Sequence, residues 1–299
     1  MFAALVSWFD TTRGGTRAGR RTDWVRVIPL IGLHVACLAV LFVGVSPVAV
    51  GVAVASYLLR MFAITAFYHR YFSHRAFRTS RGVQFVFALI GAAATQRGPL
   101  WWAAHHRSHH RHADGEGDPH RPADGVLWSH IGWFLSGEHF HADRERVRDW
   151  ARFPELVWLD RFDLVVPVAY AAGLYGLGAV LEALAPGLNT TGAQLLVWGY
   201  VVSTVVLLHA TLLVNSLAHR MGTRPFATPD QSRNNLFIAL LTLGEGWHNN
   251  HHRCAGSARQ GFYWWQIDVT YYLLRLLAAC GLIWKLRGVP PAVLAEGRQ

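Results

Sequence analysis

A chain of 299 residues that is 52% hydrophobic and 13% aromatic but only 15% charged is too apolar for an ordinary soluble enzyme, and an integral membrane protein is the first expectation. The net charge of +10 would suit a nucleic acid, but the arginines flank apolar runs, where anionic lipid head groups attract them, so no nucleic-acid partner is expected. Three cysteines, Cys37, Cys254 and Cys280, odd in number and without CxxC spacing, speak against a disulfide scaffold or a thiolate metal site.

Residues 1–24 read as a basic cytosolic arm: a short amphipathic stretch up to Asp10, then Arg13, Arg17, Arg20 and Arg21 among glycines. An apolar core with a small-residue cleavage site, the mark of a signal peptide, is not expected there. The remainder, 25–299, reads as one membrane domain. Apolar runs at about 25–45, 47–66, 164–183 and 194–214 each approach the roughly 20 residues that cross a bilayer as a helix, which predicts four spans in two hairpins. The turn at Ser46-Pro47 and the loop 184–191 contain no Lys or Arg, whereas 70–161 and the stretch after Arg220 are rich in arginine. Basic residues favour the cytoplasmic side, so both termini and everything between the hairpins are expected there, in a bacterium on the inner face of the cytoplasmic membrane.

Three histidine boxes then stand out. The first, HRYFSH, carries His69 and His74 at the end of the second run. Residues five apart on a regular helix point about 140° away from each other, so these two share a site only if the helix ends between them or two metals are bound. The second, HRSHH, carries His106, His109 and His110, and the third, HNNHH, carries His248, His251 and His252. Spacing of i, i+3, i+4 puts each trio on one helical face, and two such faces opposed make a ligand-rich pocket for iron, copper, zinc or nickel. Asn215 and His219, four apart at the end of the fourth run, add a ninth imidazole with an amide beside it. The other histidines, His34, His105, His112, His120, His130, His139, His141 and His209, read as surface or satisfied core residues, with His34 and His209 hydrogen-bonded to a neighbouring span. Asp118 and Glu245 are candidate acceptors for imidazole N–H groups, with a helix cap or a surface salt bridge as the alternative. Residues 82–94 are too short to span, and 261–288, with Trp264, Trp265, Tyr271 and Tyr272, have the aromatic character of an interface. A helical cap over a four-helix stem results.

The ordered set HRYFSH, HRSHH, NSLAH, GEGWHNNHH, supported by Asp118-Pro119-His120, Ser129-His130-Ile131-Gly132-Trp133 and Arg224-Pro225-Phe226, resembles the membrane-bound fatty acyl desaturases, most closely the stearoyl-CoA delta-9 type, over roughly residues 60–282. The resemblance implies an all-α membrane protein whose cytosolic cap holds two iron ions on His69, His74, His106, His109, His110, His219, His248, His251 and His252. It implies that Asn215 holds a metal-bound water, that Gln96, Trp102 and Thr211 shape the bend of an acyl tunnel, and that Trp133 lies near its mouth. The reaction it implies is dioxygen-dependent insertion of a cis double bond, delta-9 by type, into a saturated long-chain acyl group on CoA or another carrier, within unsaturated fatty acid biosynthesis. No bound organic cofactor is expected. Since no cytochrome b5 domain is recognised after the third box, electrons are expected from a separate ferredoxin, cytochrome b5 or similar donor with its reductase. Two departures bear on the CoA head group: Ala104-His105 and Gly137-Glu138 stand where animal members have an Arg-Asp pair and a basic pair.

Nine ligands are too many for one metal, and zinc, being redox-inert, usually takes four in a closed site. Two neighbouring readings remain. A lipid hydroxylase or ketolase on the same fold differs in product. A histidine-rich metal transporter would place its ligands near mid-membrane, whereas these gather at span ends and in loops.

Overall fold

The computed structural model describes residues 8–13 and 19–297. Much of the basic arm, 1–7 and 14–18, therefore lies outside the described residues, and so does most of the amphipathic stretch before Asp10. The chain is mostly helical, and three helices are long and apolar enough to cross a membrane: α2 (Pro47–Ser73), α6 (Val165–Leu184) and α7 (Gly192–His219). The first expected span is shorter and interrupted. Helix α1 (Trp24–Ala36) passes through a tight turn at Cys37–Ala39 into one more turn, Val40–Val43, and Gly44, with φ +70°, stops it. That positive φ is cheap only for glycine, so the apolar run closes there.

The two hairpins point the same way. Ser46 caps α2 by accepting the Ala49 N–H at 3.1 Å and shares a 2.8 Å hydrogen bond with Thr190 of the other hairpin loop. Gln194 and Trp198 donate to the carbonyls of Val43 and Gly44 at 3.0 and 2.9 Å. With the turns tied together, the opposite ends of α2 and α7, which carry His69 and His219, also come together. Apolar side chains line the outside of this stem, Phe42 at 87% and Leu184 at 81% exposure, a surface suited to lipid rather than water. The Arg60 guanidinium, buried in α2, is satisfied by Thr204 at 2.6 Å, by Ser203 and by the carbonyls of Ser56 and Ala93 at 3.1 Å, as a charge at such depth requires. His34 and His209 meet at 2.9 Å, the expected pairing between spans, and His209 continues to His130 at 3.0 Å.

The second run extends beyond its expected end at 66 as one continuous helix, and from Ala63 its turns widen to hold an extra residue. His74 N–H bonds to the His69 carbonyl five residues back, at 3.3 Å, the π-type pattern that recurs at functional sites. The helix then ends at Ser73. Of the two routes by which His69 and His74 reach one site, the chain takes helix termination, helped by the widened turn.

The cap consists of α3 (Arg81–Ala92), α4 (Pro99–His112), α5 (Pro154–Arg161), α8 (Leu236–Leu241), α9 (His248–Arg253) and α10 (Val269–Ala279). Helices α3 and α10 are too short to span, and Trp264 and Trp265 before α10 are 82% and 55% exposed, in keeping with an interfacial aromatic belt. A two-stranded ribbon of β1 (Arg78–Thr79) and β2 (Ile283–Trp284) ties the loop after His74 to the chain's last segment.

Candidate metal centre

All nine boxed histidines converge, but as two groups. His69, His74, His106, His110 and His251 form one, and His109, His219, His248 and His252 the other, with the ligand atoms of each group within 4.8 Å of one another. Helix geometry explains the split. On α4, His106 and His110 are offset by about 40° while His109 sits about 100° from His110, so the helix lies between the groups and feeds both. Helix α9 does the same, sending His251 to one group and His248 with His252 to the other. Each trio, spread over an arc of about 100° on its helix, supplies ligands to both groups.

Within each group the Nε2 atoms turn inward. His69 and His251 approach at 3.0 Å, His74 and His106 at 2.8 Å, His110 and His251 at 2.8 Å, His219 and His248 at 2.9 Å, and His109 and His252 at 3.3 Å. Four of the Nδ1 atoms turn outward to carboxylates: His109 donates to Asp118 at 3.0 Å and His252 to Asp230 at 2.8 Å, His219 lies 2.9 Å from Asp114, and His69 is paired with Glu245. An imidazole whose Nδ1 carries the proton presents a lone pair at Nε2. Lone pairs facing one another across about 3 Å repel unless a cation sits between them. The residues present therefore fit two metal ions, and an all-imidazole donor set suits iron that changes oxidation state.

Burial favours the neutral form of six of these rings. It lowers the pKa of His74, His106, His110, His248 and His251 well below the ordinary value, aided by the surrounding imidazoles, and brings His252 to about 4 against the pull of Asp230. Burial opposes ionisation of Asp118 and Asp230 too, yet His120 and His109 beside the first, and His252 beside the second, hold both carboxyls well below the usual range. Protons should thus compete weakly for this site. Bound metal per chain, measured after dialysis, is expected to stay level from about pH 8 to about pH 6 and to fall only below about pH 5. A fall centred on about pH 6.5, the ordinary histidine value, would contradict this account.

Asp118 and Glu245 both lie against imidazole Nδ1 atoms, those of His109 and His69. Glu245 also meets buried Arg70 at 2.9 Å, and Arg70 in turn holds Asp268 through contacts of 2.9 and 3.0 Å. The flanking glycines make room for this: Gly244 has φ +130°, and a Cβ at Gly246 would run into the backbone of Ala239. Sequence reasoning missed Asp114, Asp230, Arg70, Asp268 and Gln260, the last donating to Glu245 at 3.2 Å. Only Asp114, four residues after His110, carried a local signal. His120, read as an ordinary core residue, joins His109 and Asp118 in a third cluster.

Two cavities lie beside the imidazoles, and Trp102, His106, Thr211 and Asn215 line both. Gln96 and Trp133 line the first together with His105. Gln96 Nε2 donates to Thr211 Oγ1 at 3.0 Å, and Thr211 also back-bonds to the Leu207 carbonyl at 3.0 Å. Gln96, Trp102 and Thr211, expected to shape a tunnel, and Trp133, expected near its mouth, thus border one cavity, and Trp102, Thr211 and Asn215 line the second as well.

A family model described as fatty acid desaturase matches residues 45–283. The chain is 37% identical over 263 residues to an sn-1 stearoyl-lipid 9-desaturase of Anabaena variabilis, covering 87% of this chain and 92% of that one. It is 38% identical over 270 residues to an acyl-CoA 5-desaturase of Anemone leveillei, 89% of this chain and 80% of that one. Against a probable chloroplastic lipid desaturase of Arabidopsis thaliana it is 41% identical over 222 residues, 73% of this chain, and spans 58% of that protein's length. With two histidine groups compatible with a di-iron site, helices long enough to span a membrane and this match over most of its length, the chain belongs to the fatty acid desaturase family, whose members are oxidoreductases.

Proposed function

We propose that the chain is a dioxygen-dependent di-iron desaturase that introduces a cis double bond, at the delta-9 position, into a saturated long-chain acyl group carried by CoA or by lipid. The observation that carries this reading is that two cavities beside the imidazoles share Trp102, His106, Thr211 and Asn215 as lining; a bent acyl chain running through both would pass the two imidazole groups. Two irons held by the nine histidines would supply the oxidising power that no side chain has. The chain's own residues position and exclude. Asp114, Asp118, Asp230 and Glu245 orient imidazoles, Asn215 holds water at the metal side of the junction, and the Gln96–Thr211 hydrogen bond fixes the bend and hence which methylenes lie nearest. The site faces the cytoplasm above four spans, α1 completing the stem, and a separate ferredoxin or cytochrome b5 with its reductase supplies electrons.

The test is anaerobic reconstitution with iron, then dioxygen, a reductase system and labelled stearoyl-CoA, run in parallel with a stearoyl lipid. A new cis double bond in either supports the reading, and an inserted oxygen replaces it with a hydroxylase. Thr211→Phe is expected to fill the junction, keep iron, and either abolish activity or shift the bond position and preferred chain length. Mass spectrometry of the products decides; an active variant with unchanged position and length preference removes Thr211 from the tunnel.

A further inference from the structure

On the cap, away from both cavities, a groove with about 1000 Å³ of empty space runs between the β1–β2 ribbon, the start of α3 and residues 150–153. Arg75, Arg78, Arg81, Arg152 and Arg287 line it, and all five are exposed. Asp149 pairs with Arg75, and Glu155 with Arg81 at 2.7 Å. Arg78, Arg152 and Arg287 have no carboxylate at ion-pair distance among the described residues, so the groove is strongly positive. None of its lining residues borders either cavity at the imidazoles, so an acyl substrate is not its natural occupant.

The back wall of the groove is the loop that carries His74. Tyr71 and Trp150 stand there with ring centroids 5.0 Å apart. Trp150 Nε1 donates to the Phe72 carbonyl at 2.7 Å, two residues before His74. Arg107, next to His106, donates to the carbonyls of Phe72 and Ser73 at 2.6 and 3.0 Å and bridges to Asp149 at 2.8 Å. Groove and five-imidazole group thus share one wall, an arrangement that suits electron delivery.

We propose that this groove is the docking surface of an acidic one-electron carrier protein, with Tyr71, Trp150 and the 72–74 backbone leading from it to His74. The inference rests on the desaturase reading, whose stoichiometry requires such a partner. A CH2–CH2 unit loses two hydrogens, dioxygen becomes two waters, and the balance needs two electrons and two protons beyond those of the substrate. The carrier, used twice, supplies the electrons, and solvent the protons. A basic groove on a chain of net charge +10 would steer an acidic partner and orient it in a salt-dependent way.

The experiment uses the full, iron-loaded chain in phosphatidylcholine nanodiscs with two acidic probes, a plant-type [2Fe–2S] ferredoxin and a soluble cytochrome b5. Wild type is expected to bind at least one of them, with affinity falling steeply as salt rises. Arg152→Glu with Arg287→Glu should weaken binding by at least about tenfold, while the Lys pair at the same positions retains it. Iron content reports folding, and should the double reversal lose iron, Arg78→Gln and Arg152→Gln carry the test with losses of roughly threefold each. The proposal is overturned if neither carrier binds wild type or if charge reversal leaves carrier affinity unchanged. It is also overturned if the variants lose only binding to vesicles with phosphatidylglycerol, which would mark a head-group site. Failure of the desaturase reading looks different: carrier binding responds to the variants, yet wild type with bound carrier and dioxygen makes no double bond.

Discussion

Alanine at His109, His219 or His251 should abolish desaturation and strip iron while leaving the protein in the membrane. His251 faces both His69 and His110 at 3.0 and 2.8 Å, and His109 and His219 face His252 and His248, so each removal opens one metal position. Loss of an outer partner of a ligand already costs about 10- to 100-fold in metal affinity or activity, and loss of the ligand itself should exceed that. None of the three holds a span in place, so membrane insertion is unaffected. Iron per chain and the fatty-acid profile of expressing cells are the readouts. Variants that match wild type in both would dismiss these imidazoles as ligands.

Removing Arg70 should be the most damaging single change to stability near the centre. Its guanidinium is fully buried between Glu245 and Asp268 and also donates to the Ala258 carbonyl at 2.7 Å. Arg70→Ala leaves two buried carboxylates without their cation, a loss of about 3–5 kcal/mol. Lysine restores charge but not the fork that grips two acids at once, so Arg70→Lys should recover only part of it. Thermal unfolding in detergent with iron analysis measures both effects, and because Glu245 is paired with His69, iron should fall with stability. Arg70→Ala that unfolds like wild type would mean the triad contributes nothing net.

Three of the four apolar runs appear as helices of spanning length because hydrophobic length is a local property of sequence. The fourth is interrupted by a tightened turn at Cys37–Ala39 and closed by the positive φ at Gly44, features that an averaged run of apolar residues conceals. The nine metal candidates were legible too, six from i, i+3, i+4 spacing and His69, His74 and His219 from their place at the ends of apolar runs. Their partition was not, because whether His109 joins His106 or His248 depends on which helix faces each side of α4. The same holds for the partners of the imidazoles. Asp118 lies nine residues from His109, near enough in sequence to suggest the pair, whereas Asp230 reaches His252 across 22 residues and Arg70 reaches Asp268 across 198. By itself the sequence determined the apolar, membrane-like character and the candidate imidazoles, since composition, periodicity and spacing act over a few turns, while the proposed tunnel residues came only from the family resemblance. Only the tertiary structure decided the two-group geometry, the buried carboxylate supports and the arginine groove behind His74, because each arises where segments distant in the chain are packed together and must neutralise one another's charge.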